Sequence, residues 1–478
     1  MRSAITSRAG LNFKQLRRAA KVDPLSETYC AKGGLTEPQK KLIILLSLVL
    51  GTGVIECPQL IISGGYALIF GGIGLVAILR LAALRHSGPA IDPLTAPLTE
   101  TPVYSVICPL YDEAAMVPQL VAAMDRLDYP HDRLEIIFVL EMNDLTTAEA
   151  FRRCNLPPHM RVLTAPDKQP RTKPRACTYA LSRSRGDLVV VYDAEDEPDP
   201  QQLVEAAKRF AEAPDYVACL QAPLRIRPRE DFIGRMFAAE FAALFDVMLP
   251  MLARRGGVFP LGGTSNHFRR EPLAALGGWD AYNVTEDADL GFRFAAHGLR
   301  CGLLTRPTWE TAPRRLKDWL PQRARWLKGY MQSFGVHTRR PLAGGWGPFA
   351  TLMATLGVAI GSAALYGCFA IGLGVLLIKM AAGVLPSRTI SCELGIGVAG
   401  YAAAISNLWL GLKRIGERFT WRHAVEAPVY WVLQSFAALY AMHQIIHRPH
   451  HWDKTAHEPE APLQRGVGAG PARNRRAA

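Results

Sequence analysis

Long apolar runs near both ends of the chain constrain its fold more than any other feature. Leu60–Leu79 carries no charged residue and is long enough to cross the ~30 Å hydrocarbon core of a bilayer as a helix. Leu42–Ile55 is a shorter uncharged run, and Glu56 and Pro58 separate the two runs. The pattern predicts a transmembrane helical hairpin over residues 41–85.

A second apolar region covers residues 348–447 and is also predicted to lie in the membrane. Its apolar segments are Pro348–Ile378, Leu394–Leu412 and Val425–His447. The last of these is interrupted by charged and helix-breaking residues, namely Glu426, Pro428 and His443.

The positions of Lys and Arg predict which side of the membrane each segment faces, because basic residues collect at cytoplasmic ends. Lys40 and Lys41 precede the first apolar run, and Arg80 and Arg85 follow the second, which places the basic segment 1–40 and the domain after the hairpin in the cytoplasm. Basic residues before the last apolar segment and in the tail 448–478 both favour the cytoplasmic side. Two alternatives stay open: a re-entrant last segment, or a tail on the outer side.

Composition limits the classes of protein to consider. A chain of 478 residues with 49% hydrophobic content can hold one sizeable soluble domain and several spans. The net charge of +13 fits nucleic acid, an anionic membrane or a phosphorylated substrate. Because Lys and Arg crowd the first 41 residues and the ends of apolar runs, the distribution indicates a membrane, and no nucleic-acid partner is expected. The nine cysteines form no close pair, so no zinc ribbon is expected.

Residues 93–341 show the alternating pattern of an α/β domain. Val103–Cys108, Leu134–Leu140 and Leu188–Tyr192 are short apolar runs typical of strands buried on both faces of a parallel sheet. Ala114–Leu127 is predicted to form one of the intervening helices.

Polar residues follow each of these three predicted strands. Ligands of open parallel sheets bind outside the carboxyl ends of the strands, so three loops are expected to meet at one crevice. The residues concerned are Tyr111, Asp112 and Glu113 after the first strand, Glu141, Asn143 and Asp144 after the second, and Asp193, Glu195 and Asp196 after the third.

Four carboxylates at one strand end, from Asp193 to Glu197, would repel one another without a cation. Hard oxygen ligands suit Mg²⁺ or Mn²⁺, which typically take one or two carboxylates together with substrate phosphate oxygens. The alternative is a solvated acidic turn that caps a helix starting near Pro200. The position after a buried strand, beside two other polar strand ends, favours the metal.

Two further motifs carry residues suited to sugar transfer. Within Thr285-Glu286-Asp287, a carboxylate fixed at a helix start can take a proton from an attacking hydroxyl, although Thr285 can equally be an N-cap. In Gln322-x-x-Arg325-Trp326, Arg325 suits a diphosphate and Trp326 suits the apolar face of a sugar ring. The alternative for this second motif is an anchor at the membrane surface.

Together with Pro109-Leu110-Tyr111-Asp112-Glu113, Thr172-Lys173-Pro174-Arg175-Ala176 and Asp193-Ala194-Glu195-Asp196, these motifs resemble the family 2 processive glycosyltransferases, which include cellulose, hyaluronan and mixed-linkage glucan synthases. The resemblance covers about residues 40–455. The runs 262–270 and 451–457 are similar to a bacterial subgroup associated with exopolysaccharide and β-glucan synthesis and phage adsorption.

The resemblance implies a Rossmann-like domain of the GT-A type between N- and C-terminal transmembrane helices. It also implies site roles: donor binding by Tyr111, Glu113, Glu141, Asp144, Lys173, Asp193 and Arg325; catalysis by Asp287 with Glu286; acceptor binding by Gln322 and Trp326; and a metal held by Asp193, Glu195 and Asp196. The second metal ligand stays open, because the usual Asp-x-Asp is Asp193-x-Glu195-Asp196 here.

The expected activity is inverting, metal-dependent transfer from a UDP-sugar, UDP-glucose by resemblance, to a growing β-linked exopolysaccharide. The expected location is a bacterial inner membrane with the catalytic domain in the cytoplasm, and accessory polysaccharide-export proteins are further candidate partners beside the bilayer. One alternative is an enzyme that transfers a single sugar to a polyprenyl phosphate, and another is a catalytically silent membrane component or receptor. The complete carboxylate set aimed at one crevice argues against the silent protein.

Overall fold

The structure is a computed structural model that describes residues 22–85, 100–383 and 388–452. The first half of the predicted basic segment and the end of the predicted tail, residues 1–21 and 453–478, lie outside the described residues.

The central domain contains ten strands in two sheets. The order in the larger sheet is β3-β2-β1-β4-β8-β6-β9, and the smaller sheet has the order β5-β10-β7. The strands are β1 Tyr104–Leu110, β2 Leu134–Glu141, β3 Met160–Ala165, β4 Leu188–Val191, β5 Glu197–Pro198, β6 Val217–Gln221, β7 Leu224–Ile226, β8 Asn266–Arg269, β9 Arg300–Leu303 and β10 Thr308–Glu310.

The three strands predicted from apolar runs, β1, β2 and β4, are confirmed and pair in parallel. The sheet as a whole is mixed, because β8 runs antiparallel to both β4 and β6. Successive residues of β1 face opposite sides of the sheet: Val106 packs into one apolar core and Ile107 into the other. A strand buried on both faces needs an unbroken apolar run, which is why these strands were readable in the sequence.

Fifteen α-helices are present among the described residues. They are α1 Glu37–Glu56, α2 Pro58–Arg85, α3 Val117–Asp125, α4 Leu145–Arg152, α5 Lys173–Leu181, α6 Gln202–Glu212, α7 Phe232–Ala243, α8 Leu249–Arg254, α9 Arg270–Ala275, α10 Glu286–Ala296, α11 Leu316–His337, α12 Trp346–Leu352, α13 Val358–Ala381, α14 Arg388–Arg414 and α15 Trp421–His447. Single π turns join α7 to α8 and α12 to α13.

Five helical stretches of the described chain are long and apolar enough to cross a membrane. They are Glu37–Glu56, Pro58–Arg85, Phe232–Arg254, Trp346–Ala381 and Leu394–Arg414. Phe232–Arg254 differs from the rest, because 61% of its apolar window is buried inside the protein. The other four coincide with predicted apolar runs.

The last predicted apolar segment corresponds to α15, and both of its ends contact the α/β domain. Near its start, Glu426 forms an ion pair with Arg235 at 2.6 Å. Just beyond its end, the backbone carbonyl of Pro449 accepts a hydrogen bond from Gln332 Nε2 at 3.0 Å. Near each of its ends α15 is therefore attached to a helix of the central domain, α7 or α11, and both alternatives for the topology of this segment stay predictions.

Candidate active site

The loops after β1, β2 and β4 meet at one cavity of about 1170 Å³, as their place at the carboxyl ends of parallel strands predicts. Its walls include most of the predicted site residues, namely Tyr111, Glu113, Glu141, Lys173, Asp193, Glu195, Glu286, Asp287, Gln322, Arg325 and Trp326. Two predicted residues, Asp144 and Asp196, are buried outside these walls.

Lys173 connects the acidic loop after β4 to the rest of the cavity. Its ammonium group lies 2.5 Å from Asp193 Oδ1 and donates to the carbonyl oxygen of Gly263 at 2.9 Å. Burial alone would lower the pKa of Lys173, but the carboxylates of Asp193 and Glu286 outweigh burial and raise the pKa above its usual value. Lys173 is therefore a fixed positive charge at the centre of the site.

A carboxylate that the sequence did not single out, Glu310, joins the acidic loop. Because β5 directly follows Asp196 and pairs with β10, it brings the end of β10 beside this loop. Burial raises the pKa of Glu310 well above its ordinary value, and the nearby carboxylates of Glu195 and Asp193 raise it further. No apolar run marked β10, since it has only three residues.

Asp196 supports the acidic loop from behind; its Oδ1 is buried without a hydrogen-bond partner among the described residues, and its role as a metal ligand stays a prediction. It is 1% exposed, and its Oδ2 accepts hydrogen bonds from the backbone N–H of Asp193 at 2.6 Å and from the Thr264 hydroxyl. The remaining acid, Glu197, is neutralised by Arg227 at 2.6 Å. In the acidic loop and the adjoining end of β10, the carboxylates that face the cavity are thus Asp193, Glu195 and Glu310.

The fit of a divalent cation can be tested on this arrangement. In the described part of the chain, no group of three His, Cys, Asp or Glu side chains is close enough to form a metal site by itself. Mg²⁺ and Mn²⁺ commonly take only one or two carboxylates and complete their coordination with phosphate oxygens. Burial raises the pKa of the adjacent Asp196, and the negative charges of Glu310, Asp193 and Glu195 raise it further. Asp193 and Glu195, which face the cavity beside a third carboxylate, fit such a shared site.

Asp144 also supports the site from outside the cavity walls, and its role as a donor contact stays a prediction. It caps α4, since its Oδ1 accepts from the Thr147 backbone N–H at 3.1 Å, and its Oδ2 accepts from the Asp112 N–H at 2.6 Å. Asp112 has φ of +53°, a left-handed conformation that aspartate tolerates better than most residues. These bonds hold the loop after β1, and with it Tyr111, at the cavity.

Asp287 lies in the first turn of α10 with one carboxylate oxygen, Oδ1, buried and without a hydrogen-bond partner among the described residues. Burial raises the pKa of Asp287, although the Ala288 backbone N–H, Lys173 and Arg325 act against it. The loop with Gly263 borders Asp287, since a Cβ on Gly263 would lie at van der Waals distance, 3.4 Å, from Asp287 Oδ2. The arrangement suits a general base that awaits a proton.

Thr285 occupies the N-cap position of α10, but its side chain makes no capping hydrogen bond. Instead α11 crosses directly over it, because a Cβ on Gly329 would lie only 2.2 Å from Thr285 Oγ1. Further along, His337 of α11 contacts Asp289 of α10 at 2.9 Å. The helix with Asp287 and the helix with Gln322, Arg325 and Trp326 therefore form one packed unit.

The Gln322-x-x-Arg325-Trp326 motif faces the cavity from α11. Gln322 Oε1 is buried and has no hydrogen-bond partner within the described chain. Trp326 packs against Phe237 and Phe241, with ring centroids 6.0 and 6.1 Å away, and the Arg323 guanidinium lies 4.5 Å from its ring centroid. These contacts, beside the cavity, differ from those of a surface anchor.

The segment after α15 adds one more wall residue, Trp452, which belongs to the run 451–457 noted in the sequence. Its ring lies under the Arg325 guanidinium at 4.2 Å. Lys328, fully buried on α11, holds this segment by donating to the His451 carbonyl at 2.7 Å. Residues far apart in sequence thus complete the site.

Residues 102–329 match the family model described as glycosyltransferase like family 2. A probable glycosyltransferase of Bacillus subtilis is 27% identical over 240 residues, covering 48% of this chain and 56% of that protein. A β-monoglucosyldiacylglycerol synthase of Synechocystis is 26% identical over 276 residues, covering 56% and 57%. A poly-β-1,6-N-acetyl-D-glucosamine synthase of Staphylococcus aureus is 23% identical over 225 residues, covering 46% and 52%. The chain thus spans about half the length of these relatives.

Among solved structures, a mannosyltransferase from Pyrobaculum calidifontis, in complex with GDP-mannose and Mn²⁺, has the same fold. Its TM-score is 0.53 at 21% identity, and the likeness covers 78% of this chain and 99% of that chain. The α/β domain with its mixed sheet is therefore of the GT-A type.

Proposed function

Because residues 102–329 form a glycosyltransferase domain of family 2, we propose that this chain transfers a sugar from a UDP-sugar to the growing end of a β-linked exopolysaccharide. UDP-glucose is the proposed donor. The observation that carries the proposal is that Asp287, with its unpartnered carboxylate oxygen, shares one cavity with the acidic loop and with Trp326. The proposed base, the donor site and the tryptophan proposed to hold the acceptor sugar therefore line the same cavity.

The proposed reaction is a single displacement. Asp287 takes the proton of the acceptor hydroxyl, whose oxygen bonds to the anomeric carbon. The bond between that carbon and the diphosphate oxygen breaks, and its electron pair leaves with UDP. Because attack comes from the face opposite the leaving group, an α-linked donor yields a β-linked product.

Asp193 and Glu195 are the proposed ligands of Mg²⁺ or Mn²⁺, and Lys173 and Arg325 the proposed contacts of the diphosphate. The bound ion would neutralise charge that develops on the leaving diphosphate. Lys173 already lies against Asp193, so it is placed to exchange that carboxylate for a phosphate oxygen. The Mn²⁺ bound by the archaeal mannosyltransferase supports this assignment.

We propose that the protein lies in a bacterial inner membrane with the α/β domain in the cytoplasm, and that export proteins receive its product. The apolar stretches flanking the domain support this location. The staphylococcal relative, named for a polymer product, supports elongation.

A second candidate is transfer of a single sugar to a membrane lipid. It is favoured by the cavity itself, whose walls continue along aliphatic residues of α2, including Leu68, Ile73 and Val76. The cyanobacterial relative, named for a glucosyl lipid product, is consistent with this candidate.

Trp326→Ala separates the two candidates. If the indole holds the terminal sugar of a polymer, the variant should make polymer at least about tenfold more slowly, because truncating a central aromatic at a binding site costs ~2 kcal/mol. UDP affinity should stay near that of the wild type. The measurement is incorporation of labelled sugar into long product, beside calorimetry with UDP.

Trp346→Ala is the matched control, since Trp346 is 73% exposed and suits a surface anchor. It should elongate normally. A folded Trp326→Ala protein with the wild-type rate and product length would refute the role of Trp326 in holding the polymer. If the wild-type protein itself makes only a single sugar attached to a lipid, the second candidate is favoured.

A further inference from the structure

Part of the cavity extends away from the acidic loop, between helices that are apolar enough to cross a membrane. We call this part the apolar arm; it is lined by one face of α2 from Leu68 to Arg80, by Tyr366 of α13 and by Tyr401 and Asn407 of α14. The α2 residues recur at helical spacing, so the same side of that helix faces the arm over about three turns. The residues that line the arm are mostly aliphatic.

Arg80 is the single charged side chain among the described residues of the apolar arm. No described carboxylate forms an ion pair with it, and Tyr366 lines the same arm. A cation inside an apolar cavity is costly unless an anion neutralises it. The positive charge of Arg80 is therefore not neutralised within the arm. An anionic ligand bound in the arm could neutralise it.

Asn407 provides a buried group without a hydrogen-bond partner beside Arg80. Its side chain is 3% exposed, and its Nδ2 donates to the carbonyl oxygens of Arg80 at 3.2 Å and of Ala403 at 2.9 Å. Its Oδ1 has no hydrogen-bond partner within the described chain. A buried amide oxygen without a hydrogen-bond partner is energetically costly, and a hydroxyl or another donor on a bound ligand would remove this cost.

The depth of Arg80 indicates which anion can reach it. Arg80 directly follows the uncharged run Leu60–Leu79, so in the proposed membrane orientation it lies at the cytoplasmic boundary of the hydrocarbon core. Lipid phosphates lie at this level. A neutral glucan would leave the Arg80 charge unpaired.

We propose that the apolar arm binds a phosphate-bearing lipid, with its chains along the aliphatic face of α2 and its phosphate oxygens on Arg80. The hydroxyl of the phosphate or headgroup donates to Asn407 Oδ1. The inference rests on the membrane location proposed above, and it holds whether the lipid is a resident phospholipid or a lipid-linked sugar acceptor.

Native mass spectrometry of the delipidated full-length protein in an uncharged detergent tests this site. The probes are phosphatidylglycerol, polyprenyl phosphate, diacylglycerol and inorganic phosphate. Arg80→Gln should weaken binding of the phosphate-bearing lipids by about tenfold or more, as loss of a charged hydrogen bond predicts. Arg80→Lys should keep most of the binding, and diacylglycerol binding should not change.

Arg85→Gln is the matched control, because Arg85 lies on the same helix but is exposed at its end. It should bind all probes as the wild type does. Binding of phosphatidylglycerol identifies a resident phospholipid, and selective binding of polyprenyl phosphate identifies a lipid acceptor. Equal affinity of wild type and Arg80→Gln for both phosphate lipids would overturn the inference, as would binding of inorganic phosphate alone with the same dependence on Arg80.

UDP affinity, measured on the same samples, keeps the two proposals distinguishable. It should match that of the wild type in Arg80→Gln, which also shows that the variant is folded. Wild-type protein that binds no UDP would count against the proposed function and leave the lipid result to be judged separately.

Discussion

Replacing Asp287 with Asn is expected to lower turnover by about 10²- to 10⁴-fold, the usual contribution of a general base. The amide keeps the size of the side chain but cannot take the acceptor proton. Because Asp287 Oδ1 has no hydrogen-bond partner among the described residues, the substitution breaks no bond made by that oxygen. Folding and UDP affinity should therefore be retained.

The measurement is the initial rate of sugar transfer at saturating donor, beside UDP binding by calorimetry. Asp132→Asn is a matched control, because Asp132 is an exposed aspartate outside the cavity. It should leave the rate unchanged. An Asp287→Asn enzyme within a few-fold of the wild-type rate would show that another group accepts the proton.

Removing the metal ligands is expected to have an effect of similar size. Chelation should abolish transfer, and Mg²⁺ or Mn²⁺ should restore it, since the ion bridges the protein to the leaving diphosphate. Asp193→Ala should prevent the rescue. The variant also releases Lys173 from its 2.5 Å contact, and the freed ammonium group can still attract phosphate.

For this reason the decisive quantity is the metal dependence of UDP affinity, not the affinity alone. Wild-type protein should bind UDP more tightly with Mn²⁺ than after chelation, whereas Asp193→Ala should bind it equally in both conditions. Asp132→Asn should retain the wild-type difference. Unchanged metal dependence in Asp193→Ala would remove Asp193 from the metal site.

The sequence allowed the centre of the fold to be predicted because burial there leaves a continuous signal. The strands β1, β2 and β4 begin and end within a residue or two of the apolar runs that predicted them. By contrast, β8 begins with Asn266 and His267, and because these buried side chains are polar, no apolar run marked this antiparallel strand. The mixed order of the sheet therefore came only from the structure.

For the site, the sequence predicted which loops lie at the cavity. It did not predict which of their side chains point into the cavity. Asp144 and Asp196 stand beside wall residues, yet backbone N–H groups of their own or a neighbouring loop donate hydrogen bonds to their carboxylates. Such capping depends on local backbone conformation, which a motif does not specify. Glu310 and Trp452 reach the site through pairing and packing between distant segments, for which a single sequence carries no signal.

The topology of the last apolar segment also could not be predicted from the sequence alone. Charge bias required the cytoplasmic side at both of its flanks, and hydropathy alone suggested a crossing. The contacts of Glu426 with Arg235 and of Pro449 with Gln332 attach both ends of α15 to one domain, and the re-entrant segment and the outer tail both stay predictions.

The central claim is that this protein elongates a β-linked polymer from a UDP-sugar, and the product made by purified protein tests it most directly. The protein should be incubated in bilayers with Mn²⁺ or Mg²⁺ and a panel of radiolabelled UDP-sugars, and the product sized and digested with linkage-specific glycosidases. We expect long β-linked chains from one donor, UDP-glucose, even when the donor is scarce. A product limited to one sugar on a lipid, or no transfer from any UDP-sugar, would contradict the claim.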